Sequence, residues 1–372
     1  MSQHTNAGLF LLEKVSPLFP IARLCGVLPY SDEFSLSESW FKYSILLVSS
    51  VVVGVNGFRA VYLVYSASDF LNEGFNTALY IIQSLLNDVC LISHVIQLLF
   101  QRDKLRTILE RLKTLDTIWL KYTTIFSKRL TGFGLLWVAI SQIAILVTDS
   151  TTYEKMIRFT YSTTYVFFYM IVMEFCCCLE LVRNHLTALT IDLSPVESKL
   201  QNKIFSHYDL LKLGKKINDF FSLQLLIICM RCTINIVCQI FFLLQFLKNS
   251  KWGVEMILVL AFLVGDCFME LLILLCIAAS CSETSAKAAR FSEQLYQTMN
   301  KNKNLFSYVE LQLYVTLNKG VQFNACGFFN IGYPLVTSVL AAATTYLVIL
   351  VQFSTSGALK KQLGKSNTTF IQ

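Results

Sequence analysis

Stretches of about twenty or more mostly apolar residues recur along this chain, and each is long enough to cross a bilayer as a helix. Only 15% of the 372 residues are charged, whereas soluble domains usually contain about 25%. We therefore predict an all-α integral membrane protein with seven transmembrane helices. The predicted spans lie at residues 43–65, 76–100, 130–148, 159–182, 221–247, 254–281 and 335–353.

The last apolar stretch, residues 320–359, contains no charged residue and is too long for one straight span. Gly327, Gly332 and Pro334 interrupt its first part, because proline lacks a backbone donor and restricts the residue before it. We expect a broken helix, with a short inner helical piece and an outer transmembrane piece at 335–353. The inner piece, 320–333, would be only about 21 Å long as a helix, which is too short for an eighth crossing.

Lys and Arg are distributed unequally between the two sides of the predicted membrane. The N-terminal segment 1–42 and loops 101–129, 183–220 and 282–320 contain 22 of them, and the alternate segments contain 7. Basic residues are retained in the cytoplasm, so the N-terminus is predicted inside and the C-terminus outside. Asn367, in the tail, begins the Asn-x-Ser/Thr sequence of this chain and is a candidate glycosylation site on the outer side.

The cytoplasmic segments are predicted to be helical, because Leu105, Ile108 and Leu112 recur at helical spacing between basic residues. We expect them to form surface helices or to pack into a shared cytoplasmic base. The predicted order is an N-terminal segment 1–42, spans one to four in 43–182 with a helical loop 101–129, a helical loop 183–220, spans five and six in 221–281, cytoplasmic helices and the inner piece in 282–334, span seven in 335–353 and an extracellular tail 354–372.

Motifs for catalysis, metal binding and nucleic-acid binding are missing from the sequence. It contains no phosphate-binding glycine loop, GxSxG or HExxH, so we expect no enzyme activity and no cofactor. Cys229 and Cys232 have CxxC spacing but lie within a span without further ligands, so we expect no metal site there. Most of the 12 cysteines lie in apolar runs and are expected to be buried thiols. The adjacent Cys176, Cys177 and Cys178, near a span end, are candidate palmitoylation sites.

Charged residues within spans must be paired or functional, because an isolated charge in hydrocarbon is costly. Arg231 and Glu270 lie ten and eleven residues from the inner ends of their spans, which places both at a depth of about 15 Å. We predict that they form a buried ion pair, with a structural role favoured over ligand binding or gating. Asp88, Glu174 and Asp266 also lie within spans, and the sequence assigns them no partner.

The outward halves of the spans contain aromatic rings with amides and hydroxyls, which is the composition of a small-molecule site. The same residues would also suit an interfacial aromatic belt with hydrogen bonds between helices. These candidate ligand-binding residues are Tyr80, Gln83, Asn87, Tyr161, Thr164, Tyr165, Gln239, Gln245 and Trp252.

Ser338, Thr345 and Gln352 repeat every seven residues in the last span and form a small, polar stripe on an otherwise apolar helix. Such a stripe forms either a tight seam between helices or the lining of a pore between subunits.

The segment from Thr345 and Tyr346 to Gln352 and Phe353 resembles the TYhhhhhQF signature in the last span of insect gustatory receptors. Residues 23–29, RLCGVLP, resemble that family's N-terminal pattern. The resemblance implies an inverted seven-span, tastant-gated, non-selective cation channel in the plasma membrane of a sensory neuron.

The resemblance also implies the working parts of such a channel. Four identical or different subunits, embedded in the lipid bilayer, would contact one another through their cytoplasmic helices and their last spans. A small-molecule tastant would bind in the outward half of each bundle, and cations would pass along a central axis. The implied pore and gate residues are Ser338, Thr345, Tyr346, Gln352 and Phe353.

Two other classes of membrane protein compare less well with the sequence. A G-protein-coupled receptor would need the opposite distribution of basic residues, so no G protein is expected as a partner. A secondary transporter could couple ions through the charged residues within the spans. However, no inverted repeat is visible.

The charge asymmetry predicts the accessibility of both chain ends. An epitope placed after Gln372 should be labelled on intact cells, and one placed before Met1 only after permeabilisation. The reverse labelling pattern would contradict both the topology and the channel hypothesis.

Overall fold

A computed structural model describes residues 67–114, 152–191, 197–249, 254–301, 306, 308–318 and 320–369, and single residues in 42–57 and 134–140. The described chain is almost entirely helical, as predicted. Its helices are α1 (Ala67–Phe100), α2 (Arg102–Thr114), α3 (Thr152–Ile191), α4 (Glu197–Asn249), α5 (Val254–Lys301), α6 (Val309–Leu317) and α7 (Tyr333–Thr369). Its strands are β1 (Asn324–Ala325) and β2 (Phe329–Asn330).

Among the described residues, three helical segments are long and apolar enough to cross a membrane, namely Leu200–Leu247, Leu260–Lys301 and Tyr333–Gln352. A shorter apolar segment lies at Leu85–Phe100. The predicted spans at 43–65 and 130–148 lie almost wholly outside the described residues. The count of seven spans therefore stays a prediction from the sequence.

The central helices are much longer than a bilayer is thick. Helix α4 has 53 residues and α5 has 48, which correspond to about 80 and 72 Å. Each therefore extends from the apolar layer into a region that the charge pattern places in the cytoplasm.

The core lies where α3, α4 and α5 pack together. Phe175 of α3 meets Phe221 of α4 edge to face, with ring centroids 5.4 Å apart, and Ile277 of α5 is fully buried in the same cluster. The apolar stripe of α2 packs into this core, where Leu105 and Ile108 are buried. This stripe is the helical pattern recognised in loop 101–129.

The three adjacent cysteines, Cys176, Cys177 and Cys178, are buried in the helix core as free thiols. The palmitoylation hypothesis is therefore wrong, because an acyl chain cannot be attached to sulfur atoms that are enclosed by neighbouring helices. Cys229 and Cys232 are also buried and free.

The predicted inner helical piece of the last span is wrong. Residues 324–330 form a hairpin in which Asn324 pairs with Asn330 and Ala325 pairs with Phe329. Cys326 has φ 51°, in the left-handed region that interrupts a right-handed helix, and the Asn324 side chain accepts a hydrogen bond from the Gly327 amide at 2.9 Å. Helix α7 then begins at Tyr333 and continues to Thr369, beyond the predicted end of the span at 353.

A buried histidine joins three helices at the end of the bundle that the charge pattern places in the cytoplasm. His207 of α4 stacks on Phe291 of α5, with ring centroids 4.2 Å apart. Its Nδ1 lies 2.7 Å from the Tyr314 hydroxyl of α6, and its Nε2 lies 3.2 Å from the Ala288 carbonyl oxygen. Burial raises the pKa of the Tyr314 hydroxyl, so this group keeps its proton and donates it to Nδ1. His207 is then neutral, and Nε2–H donates to Ala288.

Changing Tyr314 to Phe should destabilise this junction, because it leaves a buried imidazole nitrogen without a donor. We expect a loss of about 1–3 kcal/mol in the free energy of unfolding, measured by denaturation of the purified protein. Tyr308→Phe is the control, since Tyr308 is 51% exposed in the same segment and should change the free energy by less than about 0.5 kcal/mol. Equal effects of the two changes would show that the hydrogen bond to His207 is unimportant.

Candidate functional site

Arg231 of α4 lies at the centre of a buried polar cluster. Its Nη1 donates to Glu270 Oε2 of α5 at 3.0 Å, and the two side chains are 0% and 2% exposed. Its Nε donates to the Asn87 side chain of α1. The structure therefore shows the contact between Arg231 and Glu270, which were predicted to lie at the same depth in the membrane. Asn87 brings a third helix, α1, into this contact.

Further side chains contact the ion pair. Asn235 Nδ2 donates to Glu270 Oε1 at 2.9 Å. The Arg231 guanidinium lies 3.8 Å from the centroid of the Phe168 ring and 5.3 Å from that of Tyr165, both on α3. An aromatic face attracts a cation electrostatically, and this attraction is strongest where water is excluded. Helices α1, α3, α4 and α5 thus contribute to one cluster.

Several of the candidate ligand-binding residues lie inside this bundle. Gln83, Asn87, Tyr165 and Gln239 are buried, and Gln245 is half-buried. Gln83 precedes Asn87 by one helical turn, and Gln239 follows Asn235 by one turn, so each lies on the face of its helix that carries the cluster. The side chains of Tyr80, Tyr161 and Thr164, and all of Trp252, lie outside the described residues.

Some polar atoms of this region have no hydrogen-bond partner among the described residues. They include Gln83 Nε2, Tyr165 Oη, Gln239 Oε1 and Asp266 Oδ2. Leaving a buried polar atom unpaired costs about 1–3 kcal/mol, so native structures contain few of them. Donors and acceptors of this kind inside an aromatic bundle are groups that a small polar molecule could bind.

Asp266 of α5 belongs to this region, although the sequence left it without a partner. Its Oδ1 accepts a hydrogen bond from Trp137 Nε1 at 3.1 Å, and the indole stacks on Phe262 with ring centroids 6.2 Å apart. Trp137 and Asp266 are 129 residues apart in the chain. No sequence spacing indicates such a contact.

Helix α7 presents its polar stripe away from the rest of the chain. Val339 and Ala343 are buried against the bundle, whereas Ser338, Thr345 and Gln352 are exposed. The Ser338 hydroxyl donates to the Pro334 carbonyl at 3.0 Å, and the Thr345 hydroxyl donates to the Ala341 carbonyl at 3.1 Å. Because these protons are used within the helix, the hydroxyl oxygens are presented outward as acceptors.

For the other candidate residues of α7, the structure describes the side chain of Tyr346 but only the backbone of Phe353 and Asn367. Tyr346 is exposed. No group of three or more His, Cys, Asp or Glu residues that could hold a metal ion occurs within the described part of the chain.

Comparison with known proteins identifies a family and a fold. A family model described as 7tm chemosensory receptor matches residues 15–356. The insect olfactory receptor OR5 from Machilis hrabei superposes with a TM-score of 0.64, covering 93% of this chain and 99% of that chain at 15% identity. The structure of the same receptor in complex with eugenol gives a TM-score of 0.57. At this identity the similarity shows a shared fold.

Curated relatives from Drosophila melanogaster match shorter segments. The gustatory receptor for bitter taste 66a is 25% identical over 178 residues, which are 45% of this chain and 32% of that receptor. The gustatory and pheromone receptor 32a is 35% identical over 77 residues, which are 21% of this chain and 17% of that receptor. This chain therefore covers about a third or less of the length of these relatives.

Changing Glu270 to Ala should strand the Arg231 charge in the apolar interior and cost about 3–5 kcal/mol, which would appear as poor surface expression. Replacing Arg231 and Glu270 together by Leu should recover part of this loss. Glu110→Ala is the control, because Glu110 pairs with Arg106 where both side chains are more than half exposed and such pairs contribute little. Equal losses in the single and double variants would mean that Arg231 and Glu270 do not act as partners.

Proposed function

Because the chain belongs to the 7tm chemosensory receptor family, we propose that it is a gustatory receptor that works as a tastant-gated, non-selective cation channel. It lies in the plasma membrane with its N-terminus inside. Four subunits surround a central axis, and the last span of each subunit lines the pore. The observation that carries this proposal is the exposed polar stripe of α7.

The exposure of α7 is unusual among the apolar segments of the fold. Only 17% of the residues in its most apolar stretch are buried, compared with 61% in that of Leu200–Leu247 and 39% in that of Leu260–Lys301. A lipid-facing helix needs no regular polar positions, whereas Ser338, Thr345 and Gln352 recur along one exposed face. Around a fourfold axis this face would meet water and cations, and the amide oxygen of Gln352 would replace part of a cation's hydration shell.

Ligand binding in the outward half of the bundle would reach α7 through direct packing. Cys238 and Phe241, which flank Gln239 on α4, form one apolar cluster with Leu347 and Leu350 of α7. Movement of α4 around a bound molecule would shift the buried side of α7. Because α7 carries the polar stripe on its other side, this shift would change the width or wetting of the pore.

The cytoplasmic end offers surfaces for subunit contact. Val309, Leu313 and Leu317 of α6 are 73%, 56% and 71% exposed, and their spacing of four residues places them on one face. A short apolar face of this kind suits packing against a second copy of the chain. The His207 junction described above holds α6 against α4 and α5 in each subunit.

Cysteine substitution on the two faces of α7 tests the proposed pore. A cysteine at Thr345 should react with a water-soluble thiol reagent in the open channel and lower the current, because it would line the pore. A cysteine at Ala343 should not react, since Ala343 is buried against the bundle on the same helix. The unsubstituted receptor is the control for native thiols. Reaction at 343 without reaction at 345 would show that the stripe is a packing seam.

A further inference from the structure

We infer that the ligand of this receptor is a protonated organic amine and that Asp266 holds its ammonium group. The inference rests on the proposed function and names the chemical class of its ligand. Asp266 lies in the first third of α5 and is buried, 7% exposed. Trp137 binds one of its carboxylate oxygens, and the other has no hydrogen-bond partner among the described residues.

The charges around Asp266 favour a cationic ligand. Arg231 and Glu270 neutralise each other, and Arg231 is further engaged by Asn87 and by the Phe168 ring. Among the described residues, no cation forms an ion pair with Asp266, and one of its carboxylate oxygens has no hydrogen-bond partner. The buried acids Asp88 and Glu174 take part in other interactions, so Asp266 is the stronger candidate for binding a cation. A buried carboxylate is stabilised best by a partner of opposite charge that also donates a hydrogen bond.

The surroundings of Asp266 suit an organic ammonium ion better than a metal ion. A metal ion requires several oxygen ligands, and the described residues contain no cluster of acidic or other metal-binding side chains there. Trp137 supplies an indole beside the carboxylate, and the Tyr165 ring lies against Arg231 in the neighbouring cluster. Aromatic rings attract organic ammonium groups. The unpartnered Tyr165 hydroxyl could accept a second N–H bond.

Thermal unfolding of the purified full-length receptor tests this inference with matched pairs of compounds. The amines are benzylammonium, phenylethylammonium and phenylpropylammonium, and each is compared with the alcohol of the same carbon skeleton. At least one amine should stabilise the wild-type receptor at lower concentration than its alcohol does. Asp266→Asn keeps the acceptor for Trp137 but removes the charge, so it should weaken amine binding roughly ten- to a hundredfold and leave alcohol binding unchanged.

Two further variants control for folding and for charge in general. Asp266→Glu keeps the negative charge and should retain the preference for amines even if Asp266→Asn fails to fold. Asp219→Asn removes an exposed carboxylate from α4 and should leave amine binding at the wild-type level. The inference is overturned if no amine binds better than its alcohol, if Asp266→Asn binds amines normally, or if Asp266→Glu loses the preference. A receptor that opens only with neutral compounds would overturn the amine inference and leave the proposed channel intact.

Discussion

The buried guanidinium of Arg231 is the interaction on which the arrangement of the bundle depends. A charge in this position requires acceptors from other helices, because its own backbone is already hydrogen-bonded. Glu270 supplies one acceptor from α5 and Asn87 supplies another from α1, while Phe168 of α3 covers the cation. These contacts hold α1, α3, α4 and α5 in register at the depth of Arg231. They also leave few ways for the helices to slide along one another without separating the charges.

This cluster adjoins the candidate ligand-binding residues, which lie next to the last helix. Gln239 lies two turns beyond Arg231 on α4, and the apolar residues that flank it pack against Leu347 and Leu350 of α7. One helix thus carries the buried charge, a candidate ligand contact and the contact with the proposed pore helix. In the proposed channel, this packing of α4 against α7 would connect the ligand site with the pore.

Much of this arrangement follows from the sequence, because hydropathy and depth are properties of single helices. Depth alone indicated that Arg231 and Glu270 meet, and the TYhhhhhQF segment indicated the chemoreceptor family, which the family match confirms. Contacts between distant segments have no such signal, so Asn235 and the bond between Trp137 and Asp266 were missed. The prediction of a helix at 324–330 was wrong because composition alone does not indicate a turn. The turn depends on the left-handed backbone of Cys326 and on the hydrogen bond to the Asn324 side chain.

In the proposed channel, a ligand site beside the buried polar cluster would act on the pore through the packing of α4 against α7. A transporter with the same helices would bind ligand but move its substrate one cycle at a time. The most direct test is single-channel recording from the purified chain in a lipid bilayer, with a panel of organic compounds that includes the amines and alcohols above. A ligand-gated channel predicts discrete unitary cation currents that appear with an active compound and vanish when it is removed. Compounds that bind and stabilise the protein but never produce unitary current steps would contradict the channel.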